Sequence, residues 1–333
     1  MADMNFFVNL KRFDVPRALG GLCPEDNPVS WIRDVMRDVV TLGIGTVPGA
    51  STVFLLPESL LAPAVTTLRE LPAADAAGIG IGCQGVFRRD VAPGGNFGAF
   101  TTLRTAKAMA ALGCAWALVG HSEERRFLLE IMTDYDPAIA EDAAKRETAS
   151  LAVDKILGQS AERAREAGLN VLFCLGETSE EQGDGARESR LANTEKILRR
   201  QLAHGLAGLA DLAGLADLAG PGGRASGVLA LGYEPVWAIG PGRPTPDREY
   251  IRFALDTSRD QAEKTVGAKV PAVYGGGLKT ENAAMVAGAG SDGGLVALTR
   301  FSGEIGFYPE ELRAIIDAYA KAKYPDTGQK TCP

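Results

Sequence analysis

Histidine is almost missing from this chain: only His121 and His204 occur in 333 residues, and neither has a second histidine three or four positions away. A histidine-based metal centre therefore lacks its ligands. Cysteine is scarce too. Cys23, Cys83, Cys114, Cys174 and Cys332 are widely spread and form no C-x-x-C pair, which argues against a disulfide scaffold and a zinc ribbon. No apolar run approaches the roughly 18 residues needed to span a bilayer, and the opening MADMNFFVNLKRF lacks the long apolar core of a secretory signal. These absences predict a cytoplasmic protein with reduced thiols. Basic runs are absent and the formal net charge is −7, so neither nucleic acid nor a membrane is an expected partner. An anionic ligand would need a local positive site. The G-x-S-x-G elbow and the G-x-x-x-x-G-K-[ST] loop are absent as well, which removes the usual support for hydrolase and kinase readings.

What the chain has in surplus is glycine, 40 of 333 residues, against a typical share of about 7%. Eight short apolar runs recur along it: FFVNL near Phe6, TVFLLP near Thr52, GIGIGC near Gly78, AWALVG near Ala115, NVLFCLG near Asn170, VLALGYEP near Val228, VPAVYGG near Val270 and GLVAL near Gly294. They are nearly continuous in apolar residues, the mark of strands covered on both faces. Helical patterns such as SAERAREAG, TEKILRRQLAHGL and REYIRFALDTSRDQAEKTVG lie between them, several stopping at glycine and one following a Thr245-Pro246-Asp247 start. The alternation predicts an α/β fold, a (β/α)8 TIM barrel forming a single domain over residues 1–333. Such a barrel needs about 250 residues. The excess is placed in two insertions, at about 128–157 and 204–227, the second holding a tandem GLADLA hexapeptide at Gly208 and Gly214. Two copies are too few for a solenoid, and a lengthened helix end or surface insertion is the expectation.

In this architecture the active site lies at the C-terminal ends of the strands. Asn9 and Lys11 end the first strand on one side of the chain, since side chains alternate. The fourth strand ends in Gly120-His121-Ser122-Glu123-Glu124, the fifth in Gly176-Glu177 and the sixth in Tyr233-Glu234-Pro235. A lysine, a histidine and a carboxylate thus converge on one mouth. Singly, each has a blander reading as solvated charge, helix cap or loop residue; together they supply the cation, electrophile and base that proton transfer beside a carbonyl requires. Gly80-Ile81-Gly82-Cys83-Gln84-Gly85 matches G-x-G-x-x-G only in form, because it lies within a strand run and is followed by VFRRDVAPGGNFG rather than a helix. Small residues in a barrel strand explain it better.

At these residues the chain resembles the triosephosphate isomerase family. The matching blocks are NLK at Asn9, GAFT at Gly98, ALVGHSEER at Ala117, CLGE at Cys174, YEPVWAIGPG at Tyr233, YGGG at Tyr274 and DGGLV at Asp292, in family order over nearly the full length. The resemblance implies an aldose–ketose isomerase that interconverts glyceraldehyde 3-phosphate and dihydroxyacetone phosphate through an enediolate, with no metal or organic cofactor. It makes Glu234 the base and His121 a neutral electrophile, as is established in the family. Lys11 stabilises the anion, and Asn9 positions the substrate. Glu123 supports Lys11, Gly240 on the Pro235–Thr245 lid gives a backbone N–H to the phosphate, and Tyr274 supports the phosphate turn. It also implies a homodimer, in which the GAFT loop reaches into the partner's site.

The phosphate end departs from the family. Its YGGS is Tyr274-Gly275-Gly276-Gly277 here, which loses a hydroxyl and keeps the backbone N–H of Gly277, and its double glycine after the eighth strand is Ala297-Leu298. Arg300 is expected to supply a compensating cation. The lid ends in Arg243-Pro244-Thr245, whose proline restricts the hinge. In loop three the family's glutamate is Leu103, followed by Arg104, and the family's arginine is Glu124, so a reversed intersubunit ion pair is expected. Alternatives to the triose reaction are isomerisation of another short sugar or sugar phosphate, such as a four-carbon ketose phosphate, and a non-catalytic binding role.

Overall fold

The computed structural model describes residues 2–95, 99–210, 227–240 and 243–325. The apolar runs form parallel strands β1 (Met4–Asn9), β2 (Ala50–Leu56), β3 (Ile79–Cys83), β4 (Trp116–Val119), β5 (Asn170–Leu175), β6 (Leu229–Tyr233), β7 (Ala272–Tyr274) and β8 (Gly293–Val296). Each pairs with the next and β8 pairs with β1, so the sheet closes into a barrel. The connections hold helices α1 (Pro28–Thr41), α2 (Glu58–Glu70), α3 (Ala106–Ala111), α4 (Ser122–Tyr135), α5 (Ala138–Glu141) and α6 (Ala143–Glu166). They continue with α7 (Ser179–Gln182), α8 (Arg187–Gly205), α9 (Arg248–Val266), α10 (Ala283–Gly288) and α11 (Pro309–Lys323). Among the described residues no helix is long and apolar enough to cross a membrane.

The lack of polar alternation in the strands has a direct cause. Phe6 and Val8 of β1 pack into the layer beneath the helices, whereas Phe7 joins Val53, Leu55, Leu118, Leu172 and Val273 inside the barrel. Successive residues thus face two different apolar cores, and each buried side chain contributes about 1.5–3 kcal/mol. The β3 glycines serve this packing: a Cβ on Gly82 would lie 2.8 Å from both the Leu55 side chain and the Trp116 carbonyl. Among the described residues the next helix, α3, starts only at Ala106, so no helix N-terminus follows the G-x-G-x-x-G run. At the closing seam Gly293 has φ +141° and an added Cβ would lie 1.9 Å from the Asn5 carbonyl oxygen, so only glycine fits.

Helix starts follow local chemistry. Asn27 caps α1 ahead of Pro28, Asp142 caps α6, and the Asp247 carboxylate accepts the Tyr250 N–H at 2.8 Å to start α9. The stretch 128–157 forms the second half of α4, all of α5 and much of α6, which buries Ala149, Val153 and Leu157. Within it the fully buried Asp154 accepts from Arg125 at 2.6 Å and from Arg200 at 3.1 Å. Arg125 also donates to the carbonyls of Gly120 and Cys174, at the ends of β4 and β5. A buried carboxylate between two guanidinium groups thereby fixes the strand ends that carry the site. Residues 211–226, with most of the GLADLA tandem, lie outside the described residues.

Candidate active site

Strand parity places the functional side chains. Phe7 points into the barrel, so Asn9 and Lys11 follow it at the mouth, and Ala230 in β6 does the same for Glu234. After β4 the chain turns through Gly120 at φ +78°, where a Cβ would lie 2.8 Å from the Cys174 carbonyl oxygen. That turn delivers His121 to the N-cap of α4.

His121 and Glu234 are both buried and in direct contact, with Nε2 3.1 Å from Oε1. The other carboxylate oxygen of Glu234 accepts the Ser122 N–H at 3.0 Å. His121 Nδ1 accepts the Glu123 N–H at 3.3 Å. That bond needs an unprotonated Nδ1, so the network assigns a neutral imidazole that donates Nε2–H to Glu234. Burial lowers the proton affinity of His121, but the Glu234 carboxylate raises it more, and the net direction is upward. For Glu234 burial pushes the carboxyl up, while His121, the Ser122 N–H and Lys11 together hold it below its ordinary value. Glu234 is therefore a carboxylate at neutral pH.

Lys11 Nζ donates to Glu123 Oε1 at 2.8 Å. Asn9 is buried, and its Oδ1 accepts from Gln84 Nε2 at 2.9 Å, while the same amide also reaches the carbonyls of Leu55 and Lys11. Gln84 is a positioning residue that the sequence reading missed; as the first residue after β3 it would have emerged from applying the strand-end rule to that strand as well. Glu177, also buried, accepts from Trp237 Nε1 at 2.7 Å, Tyr250 hydroxyl at 2.9 Å and Tyr233 hydroxyl at 3.0 Å. Burial raises its carboxyl above the ordinary range despite these donors. It holds Trp237 just after β6; Pro241 and Gly242, farther along this segment, lie outside the described residues.

A cavity of about 420 Å³ joins these groups to the ends of β7 and β8. Asn9, Lys11, His121, Glu234, Gly240, Gly277, Ala297 and Leu298 all line it. Tyr274 is buried and donates its hydroxyl to the Gly276 carbonyl at 3.0 Å, and a Cβ on Gly276 would lie 2.1 Å from that hydroxyl. The turn from Gly275 to Gly277 is thus held against the tyrosine ring.

Arg300 does not line this cavity, contrary to its expected role as a compensating cation. Its Nε donates to Glu311 Oε1 at 2.6 Å, Glu310 lies 3.7 Å away, and its guanidinium stacks over the Tyr308 ring at 3.5 Å. Two carboxylates at the start of α11 neutralise it and hold it there. Besides Lys11, the cations that line the cavity are Arg243 and, just after β7, Lys279, neither of which was expected as an anion partner. Within the single chain Arg104 and Glu124 share a second cleft without a direct ion pair. Burial pushes the Glu124 carboxyl up, and the Gly120 N–H, Arg125 and Arg104 offset only part of that.

A family model described as Triosephosphate isomerase matches residues 51–306. The chain belongs to the triosephosphate isomerase family. It is similar to the triosephosphate isomerase of Oleidesulfovibrio alaskensis, with 32% identity over 247 residues, 73% of this chain and 78% of that protein. The triosephosphate isomerase of Nitratidesulfovibrio vulgaris is 30% identical over 254 residues, covering 75% of this chain and 81% of the relative. The fold matches that of the crystal structure of triosephosphate isomerase from Bartonella henselae, with TM-score 0.60 and 20% identity over 96% of this chain and all of that one. As in (β/α)8 barrels generally, the barrel mouth gathers the polar groups.

The His121–Glu234 contact makes a prediction with a definite sign. Because the carboxylate raises His121, Glu234→Gln lowers the titration midpoint of His121, read by NMR in a chain with only two imidazoles to assign. An unchanged midpoint contradicts the pairing.

Proposed function

We propose that the protein interconverts glyceraldehyde 3-phosphate and dihydroxyacetone phosphate by moving a proton between adjacent carbons. The observation that supports this best is a base and an electrophile 3.1 Å apart on the wall of a cavity that also receives Lys11. Glu234 removes the proton from the carbon beside the carbonyl, His121 Nε2–H stabilises the oxygen on which charge accumulates, and Lys11 stabilises the enediolate. His121 then passes a proton between the two oxygens, and Glu234 returns its proton to the former carbonyl carbon. The chemistry calls for no metal or organic cofactor.

His121 and the Ser122 N–H both hold the Glu234 carboxylate, which leaves them to reach a substrate carbon. Those contacts are what hold its proton affinity down. Leaving them for a drier cavity makes Glu234 a stronger base once substrate is present.

We further infer a homodimer. A cleft of about 640 Å³ lined by Asn9, Lys11, Gln84, Arg104, Glu123 and Glu124 opens beside the site. The loop after β3 presents an exposed Leu103 and holds Phe100 at φ +71°, a strained setting for a bulky residue. A partner's loop filling the cleft accounts for both. Sedimentation equilibrium should give twice the mass of the 35.0 kDa chain, and a monomer contradicts this inference.

A second reading, isomerisation of another short sugar phosphate such as a four-carbon ketose phosphate, rests on the changed wall at Ala297 and Leu298. Turnover assays on both substrate classes decide between them. Glu234→Gln should reduce kcat by about a thousandfold on the preferred substrate. A wild type that turns over no sugar phosphate, or a fully active Glu234→Gln, contradicts the proposed reaction.

A further inference from the structure

Phosphate sites at the β7–β8 end of such barrels are commonly built from backbone N–H groups of the two loops and the start of a short extra helix. Here that helix is missing: no helix occurs between β8 and α11. The chain instead folds back, with the Thr299 and Arg300 N–H groups both donating to the Gly306 carbonyl and the Gly306 N–H returning to Arg300. Thr299 Oγ1 closes the fold further by accepting the Tyr308 N–H at 2.8 Å. These N–H groups are spent within the loop, and Arg300 is spent on Glu311.

The cavity nevertheless carries excess positive charge, in a protein that is acidic as a whole. Lys11, Arg243 and Lys279 line it, against the single carboxylate of Glu234. Lys11 is already bonded to Glu123. Arg243 and Lys279 have no carboxylate partner among the described residues. Lys279 Nζ sits 4.1 Å from the centroid of the Phe301 ring, and Phe301 lines the same cavity. An aromatic face holds an ammonium in place without neutralising it. The loop that bears it is fixed as well, since the Lys279 N–H donates to Asn282 Oδ1 at 2.8 Å and the Asn282 amide donates to the Gly277 carbonyl at 3.1 Å.

We propose that Lys279, with Arg243 on the facing segment, holds the substrate's phosphate dianion through side-chain ion pairs, the Thr299 and Arg300 N–H groups being taken up within the 299–306 fold. This rests on the reading of the protein as a sugar-phosphate isomerase. It explains how a site with Ala297-Leu298 after β8 can still bind an anion. A charged ammonium or guanidinium facing a phosphate oxygen gives a charge-assisted bond of greater strength than a neutral pair.

The test uses inorganic phosphate as probe, with 31P NMR or calorimetry giving its dissociation constant for the full chain, alongside steady-state kinetics. Lys279→Met keeps the apolar stem over Phe301 and removes the charge. It should weaken phosphate binding and raise KM by about tenfold each, with kcat changed far less. Lys279→Arg should restore both. Arg300→Gln should leave KM and phosphate binding unchanged. A Lys279→Met protein that binds phosphate as tightly as wild type overturns the proposal, whatever the enzyme turns over. A wild type that binds no phosphate overturns it too. If phosphate binding depends on Lys279 but no sugar phosphate is isomerised, the anion site stands and the reaction assigned above falls.

Discussion

Closure of the barrel is the constraint on which everything else depends. Once β8 pairs with β1, all strands run the same way around a ring and all their C-terminal ends open onto one mouth. Asn9, Lys11, His121 and Glu234, separated by as many as 225 positions, then share one cavity. The seam is narrow, because at Gly293 the Asn5 carbonyl leaves no room for a side chain. The strand ends in turn hold the side chains in place. Arg125 ties the Gly120 and Cys174 carbonyls to the buried Asp154, and His121 follows directly on Gly120.

Two halves of the mouth are built on different principles. On the β4 to β6 side the groups are buried and paired with one another: Glu234 with His121 and Ser122, Glu177 with Trp237, Tyr233 and Tyr250. Such a network fixes tautomers and shifts proton affinities, as acid–base chemistry requires. On the β7 to β8 side the 299–306 loop is turned in on itself, and charge is presented by long side chains with solvent access, Lys279 and Arg243. The first arrangement suits proton transfer; the second suits holding an anion of adjustable size.

Much of this was legible in the sequence because its cause is local. Strands buried on both faces must be apolar at every position, so the apolar runs marked β1 to β8, and the first polar residue beyond a run marks the mouth. His121 and Glu234 emerge from that rule alone. Arg300 was misread because sequence reveals a side chain's reach but not its competitors: Glu310, Glu311 and Tyr308 lie at the start of the following helix, within its range. Lys279 went unnoticed for the converse reason. It is one lysine in a loop, and what singles it out is a Phe301 ring 22 positions away that meets it only in the fold. The extent of the 128–157 stretch also depends on tertiary packing, since Val153 and Leu157 belong to the covering layer while α4 has no fully buried residue.

In the proposed reaction the Glu234 carboxylate carries a proton between adjacent carbons of a sugar phosphate. Isomerisation in D2O tests it most directly, because a proton held on a carboxylate can exchange with solvent before it is returned. With glyceraldehyde 3-phosphate as substrate, wild-type enzyme should place deuterium on the carbon beside the carbonyl, as seen by 1H NMR, and Glu234→Gln should not. Deuterium entering equally fast with Glu234→Gln, or product forming in the wild type with none, would contradict the account.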